Sequence, residues 1–160
     1  HGGHHERGKR AGTENVSGIV GFGKAVEIAA RDMKKNDAYL KKLAKRMWEG
    51  FNKALKEVYL NGHPENRLSS TLNISFRYIE GESMVLNFDM KGICASTGSA
   101  CTSGSLEPSH VLTAMGVPPD MAQGSVRFSF GYENTEEEID YCLAEIPPII
   151  ERLRKMSPLC

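Results

Sequence analysis

Cys101 sits in the middle of "CASTGSACTSGSLEPSHV", residues 94–111, with only Ser, Thr, Gly and Ala for several positions on either side. A buried structural cysteine behaves as a small hydrophobe among larger ones, and nothing here is placed to pack around it. Accessible thiolates are nucleophiles, and Gly98 and Gly104 permit close backbone approach and loop motion. The plainer alternative is a Gly/Ser surface loop with an incidental cysteine. Arg127 lies inside the apolar strand pattern "SVRFSFG"; with hydroxyl neighbours on its own face it suits bidentate capture of a carboxylate. An outward-facing arginine on a half-exposed strand is the alternative there. The third candidate is the N-terminal loop "HGGHHERGKRAGTEN". His1, His4 and His5 with Glu6 resemble metal ligands, but no partner ligands follow at defined spacing. "RAGT" ahead of a helix reads better as an anion grip, in which backbone N–H groups, the Thr13 hydroxyl and Arg10 together hold a phosphate. A solvated N-cap is the alternative.

These residues need elements to position them. After the loop, "VSGIVGFGKAVEIAARDM" reads as helical, with Val20, Ala25, Ile28 and Ala29 turned inward. A second helix follows from Leu40, Leu43, Met47, Phe51, Ala54, Leu55 and Val58 at i, i+3, i+4 spacing. "NGHPENR" breaks that pattern. Leu72, Ile74, Phe76 and Tyr78 alternate with polar residues and predict a half-buried strand. A short helix is expected over 82–89, ending before Gly92, and a short strand at Ile93–Cys94 leading into the small-residue loop. Pro108 and Gly116 bracket a helix over "PSHVLTAM". Val126, Phe128 and Phe130 alternate with Arg127 and Ser129 as another strand. Thr135 and Glu138 form a capping box for a last helix, which Pro147 and Pro148 should kink or divide. The fold class is α+β: a small sheet covered by helices.

Composition narrows the function classes. The chain has 160 residues, 40% hydrophobic and 25% charged, with a formal net charge of +0, so nothing points to nucleic acid or an anionic membrane as the main partner. No apolar run approaches the roughly 20 residues of a membrane span, and no leader-type segment opens these residues. Cys94, Cys101, Cys142 and Cys160 are too scattered for a disulfide framework and lack CxxC pairs. Reduced thiols in a cytoplasmic setting are expected. Opening on His1 with a motif-dense stretch, the chain reads as a piece of a larger protein.

Taken together, "HHERGKRAGTEN", "NISF", "EGES", "STGSACTSGSLEPSHVL", "VRFSFG" and "NTEEEID" resemble the C-terminal part of a NifS/IscS-type cysteine desulfurase. The similarity runs through nearly the whole chain, in the family's order. The resemblance implies a pyridoxal-phosphate enzyme of the aminotransferase class V type (fold type I) working as a homodimer. It implies that Cys101 takes sulfur from L-cysteine as a persulfide, releasing alanine and passing sulfur to an acceptor such as an iron–sulfur scaffold or a tRNA-thiolation protein. Arg127 then pairs with the substrate carboxylate, and Thr13 reaches across the dimer to the cofactor phosphate held by the other subunit. Residues 1–20 are expected to be a remnant of the large cofactor-binding domain and 21–160 the small domain carrying the cysteine loop. The family's Schiff-base lysine, in a Ser-x-His-Lys segment, has no match here, so the stretch alone should lack turnover. His4 stands where many relatives have glycine. The competing readings are a cofactor-free persulfide carrier or interaction module, and, behind it, a metal-binding module.

Overall fold

Two alternating strand segments and two shorter strands form a four-stranded antiparallel sheet backed by helices. A computed structural model describes residues 1–97 and 108–158; Cys101 and Cys160 lie outside the described residues. The chain divides into two compact units, His1–Asn36 and Asp37–Cys160.

In the first unit, β1 (His4–His5) pairs antiparallel with β2 (Arg10–Ala11). A 3-10 turn at Glu6–Gly8 joins them, with Glu6 and Arg7 at positive φ. The unit ends within α1 (Val16–Ala54), whose later residues belong to the second unit. No residue of 1–36 is buried. The expectation that Val20, Ala25, Ile28 and Ala29 turn inward is therefore corrected: all four are exposed, Val20 to 66%. An apolar stripe buries only against a second layer, and this unit, a hairpin and a stretch of helix, has none. The expected pair of helices is also one continuous helix.

In the second unit the sheet has the order β3-β4-β6-β5: β3 (Val58–Leu60), β4 (Thr71–Phe76), β5 (Ser96–Thr97) and β6 (Ser125–Ser129). Val58, which the helical spacing places at the end of the helix, instead begins β3 and pairs with Phe76. Glu57, at φ 51°, turns the chain between Ala54 and the strand. The short strand expected at Ile93–Cys94 forms instead at Ser96–Thr97. One face of the sheet carries Val58, Leu72, Ile74, Phe76, Val126 and Phe128, all buried. The C-terminal part of α1 seals it through Phe51, whose ring lies 5.9 Å from both Phe76 and Phe128. α2 (Gly81–Asp89) adds Phe88, 6.3 Å from Phe128. Such ring pairs contribute about 0.5–1.5 kcal/mol beyond their area.

Two short helices, α3 (His110–Ala114) and α4 (Pro119–Gln123), precede β6. Pro108 stands ahead of α3's N-cap, Ser109, rather than at its first position, and Gly116 closes the turn after it at φ +81°. Gly124 ends α4 hard against the sheet; a Cβ there would lie 2.6 Å from the Phe76 carbonyl oxygen. Finally α5 (Glu136–Met156) opens with the expected capping box, Thr135 accepting from the Glu138 N–H while the Glu138 carboxylate accepts from the Thr135 N–H. Pro147 and Pro148 do not divide it. Ile146, Ile149 and Ile150 are buried around them, and that packing offsets the hydrogen bonds the prolines remove. Among the described residues no helix is long and apolar enough to cross a membrane.

Candidate functional site

Arg127 is an odd-numbered position of β6 flanked by the buried Val126 and Phe128, so the pleat turns its side chain to the opposite face of the sheet, where it is exposed. The register places it directly across from Asn73 on β4 and Ser96 on β5. Thr71 and Ser129 form the next pair along on that face. Asn61, just beyond β3, donates its amide to Asn73 Oδ1 at 2.7 Å and to Ser75 Oγ at 2.8 Å. With its oxygen so occupied, Asn73 keeps its own NH2 beside Arg127 without a partner among the described residues. No carboxylate bonds to Arg127 among them either. A guanidinium with an amide donor and hydroxyls around it, and no acid to neutralise it, is chemistry for an incoming carboxylate.

Ser96, opposite Arg127, is also the start of the strand that leads toward Cys101; only residues 98–100 separate Thr97 from that cysteine. Cys101 itself lies outside the described residues. The chain returns through Pro108 and the buried Ser109, whose carbonyl accepts from the Thr113 N–H and hydroxyl. The other described thiols differ from each other. Cys94 is exposed, whereas Cys142 packs against the core. Burial, with Glu138 adding, pushes the Cys142 thiol up to about 11, which keeps it protonated and unreactive near neutrality.

In the first unit the anion grip is partly revised. Thr13 is exposed, just after Gly12 (φ +89°), and its hydroxyl has no partner among the described residues. Arg10, expected to help hold a phosphate, instead braces its own loop. Its guanidinium donates to the Gly12 carbonyl at 2.8 Å and to Glu14 Oε1 at 2.9 Å. Asn15 Oδ1 caps α1 by accepting from the Gly18 N–H at 3.1 Å. His5 sits 3.6 Å from Glu14, and among the described residues no three His, Cys, Asp or Glu side chains gather to hold a metal ion. For pyridoxal phosphate, the cofactor the resemblance implies, the free Thr13 hydroxyl fits a phosphate contact. The covalent anchor does not fit: every lysine is exposed, and the two that border a cleft, Lys41 and Lys45, face Asp37 and Glu49 as ion pairs.

Asn61 and Asn73 are the site residues that the sequence reading missed as such. Asn73 is visible as a polar position in an alternating strand, but its place opposite Arg127 depends on a register between segments more than fifty residues apart.

Comparison with known proteins supplies the family. Residues 4–142 match the model of the family described as aminotransferase class-V. A cysteine desulfurase IscS of Methanosarcina thermophila is 54% identical over 159 residues, covering 99% of this chain and 39% of that protein. A protein named cysteine desulfurase 2, from Trichormus variabilis, is 54% identical over 98% of this chain and 39% of its own length. A solved NifS-like protein superposes with a TM-score of 0.80 at 37% identity, over 96% of this chain and 38% of its own. The chain thus spans about two fifths of the relatives it matches, and over that span it belongs to the aminotransferase class-V family.

Proposed function

We propose that this chain supplies the carboxylate clamp and the sulfur-accepting thiol of a pyridoxal-phosphate-dependent cysteine desulfurase. The carrying observation is Arg127. It stands unneutralised among the described residues, directly across from the strand that leads to Cys101, in a chain 54% identical over 99% of its length to a protein named cysteine desulfurase. Four residues of chain reach at most about 14 Å, so Cys101 is tethered within that distance of Thr97.

In this reading Arg127, with the Asn73 amide beside it, binds and orients the L-cysteine carboxylate. The cofactor, when bound, supplies the electron sink that lets the substrate's Cβ–S bond break. The Cys101 thiolate attacks the substrate sulfur. An S–S bond forms, the C–S bond breaks, and a proton goes to the carbon, giving alanine and a persulfide without any outside oxidant. The persulfide then passes to an acceptor thiol, and an iron–sulfur scaffold or tRNA-thiolation protein fits that role. Thr13 donates to the cofactor phosphate of the partner subunit in a homodimer. Residues 1–20 belong to the large cofactor-binding domain and 21–160 to the small one. The lack of any buried residue in 1–36, with Val16, Ile19, Val20 and Phe22 exposed, supports a further layer over that stretch. The free Cys94 and Cys142 thiols suit the reducing cytoplasm.

Alanine formation from L-cysteine by the full-length protein with pyridoxal phosphate tests the reading. Wild type should turn over and Cys101→Ala should not. Persulfide appearing on Cys101 from a sulfur donor while alanine never forms, even with the cofactor, would favour the cofactor-free carrier instead.

A further inference from the structure

A cleft of about 340 Å³ opens at the β3 edge of the sheet, the far end of the strand order from β5. That volume is at the low end of the range for small-molecule sites, which are mostly apolar with a few placed polar groups. Its walls follow that description. Ala44 and Trp48 from α1, Leu60 from β3, Leu72 from β4 and Pro64 provide apolar surface.

The charged groups around it are Lys41, Lys45, Arg67 and Glu65. Lys41 is already paired with Asp37 at 2.8 Å, and Lys45 lies 3.8 Å from Glu49. Arg67 is different. It is half-buried, and one of its five N–H donors goes to the Thr71 carbonyl oxygen. No carboxylate pairs with it among the described residues. Burial draws its pKa below the ordinary guanidinium value, and Glu65, though it shares the cleft wall, forms no ion pair with it. A partly desolvated cation without its counter-charge is costly and favours an anion that brings one.

The loop holding Arg67 is already built. His63 Nδ1 accepts from the Glu65 and Asn66 N–H groups at 3.1 and 2.9 Å, and the Ser69 hydroxyl lies near the Asp37 carboxylate on α1 and helps hold it below its usual range. A preformed wall removes much of the ordering cost of binding. We propose that this cleft binds a small carboxylate with an aromatic body, its ring against Trp48 and the leucines and its carboxylate on the Arg67 fork. The inference is independent of the desulfurase reading.

Trp48, the single tryptophan of these 160 residues, lines the cleft and serves as its reporter. The probe is 4-phenylbutyrate, titrated into the protein against its neutral counterpart 4-phenyl-1-butanol. A saturable change in tryptophan emission is expected, with the alcohol at least about 10-fold weaker, the loss of a hydrogen bond to a charged group. Arg67→Gln should weaken the carboxylate by a similar factor and leave the alcohol unchanged. If that variant fails to fold, Lys45→Glu, an exposed change at the mouth, should weaken the carboxylate alone by about 3-fold. No saturable change, equal affinity for acid and alcohol, or a folded variant that binds the acid as wild type does, overturns the proposal.

Discussion

The two faces of β6 follow opposite rules within five residues. Val126 and Phe128 are buried to 0% and 3% exposure, Phe128 against rings from α1 and α2, while Arg127 between them is exposed across from Asn73 and Ser96. One face holds the sheet to its helices. The other carries donors with no acid among the described residues to satisfy them. A rigid apolar back thus sets the backbone positions from which Arg127, Asn73 and Ser96 project on the opposite face.

Substitutions along this strand should separate the two roles. Phe128→Ala removes a ring that touches both Phe51 and Phe88 and should cost about 3–5 kcal/mol in denaturant unfolding. Arg127→Ala, one residue away, should leave unfolding within about 0.5 kcal/mol of wild type and lower kcat/KM for L-cysteine by on the order of 10²-fold, two charge-assisted bonds. A large stability loss from Arg127→Ala would erase the contrast. Gly124→Ala presses a methyl onto the Phe76 and Ile79 carbonyls and should destabilise by about 1–3 kcal/mol, read as a lowered Tm.

Cys142, raised from an ordinary 9.0 to about 11, should alkylate at pH 8 on the order of 10²-fold more slowly than an unburied thiol. Because its folded pKa is raised, its contribution to stability is whole below the ordinary thiol range and fades as pH climbs through about 11. The smallest effect belongs to the α1–α5 surface. Arg46 forks onto Asp140 at 2.7 and 2.8 Å and holds that carboxyl below its usual range. The pair stabilises above the ordinary carboxylate range and is lost as pH falls through the depressed value. Both partners are solvent-screened, so Arg46→Ala should shift Tm no more than a typical surface change.

Legibility in the sequence followed the range of the interaction. β6 was readable because Val126, Arg127, Phe128 and Ser129 alternate locally, and α5 because Thr135 and Glu138 satisfy each other within one turn. Val58 was misread because it continues the i, i+3, i+4 series of Ala54 and Leu55; its partner Phe76 decides its conformation. Val20 and Ile28 have the right spacing for a buried stripe, but spacing says nothing of whether a second layer exists. Arg10 looked like an anion ligand, and its Glu14 partner four residues on was the local signal that it was already engaged. Asn73 and Asn61 needed the sheet register before they could be joined to Arg127.

Recognition of the substrate carboxylate by Arg127, with its sulfur passing to Cys101, is tested by the rate of one-sulfur mass gain on Cys101, in the full-length protein with cofactor, from L-cysteine and from L-cysteine methyl ester. Wild type should prefer the free carboxylate by on the order of 10²-fold, and Arg127→Ala should bring the two rates close together. The same preference persisting in Arg127→Ala, or sulfur accumulating on another cysteine, would contradict it.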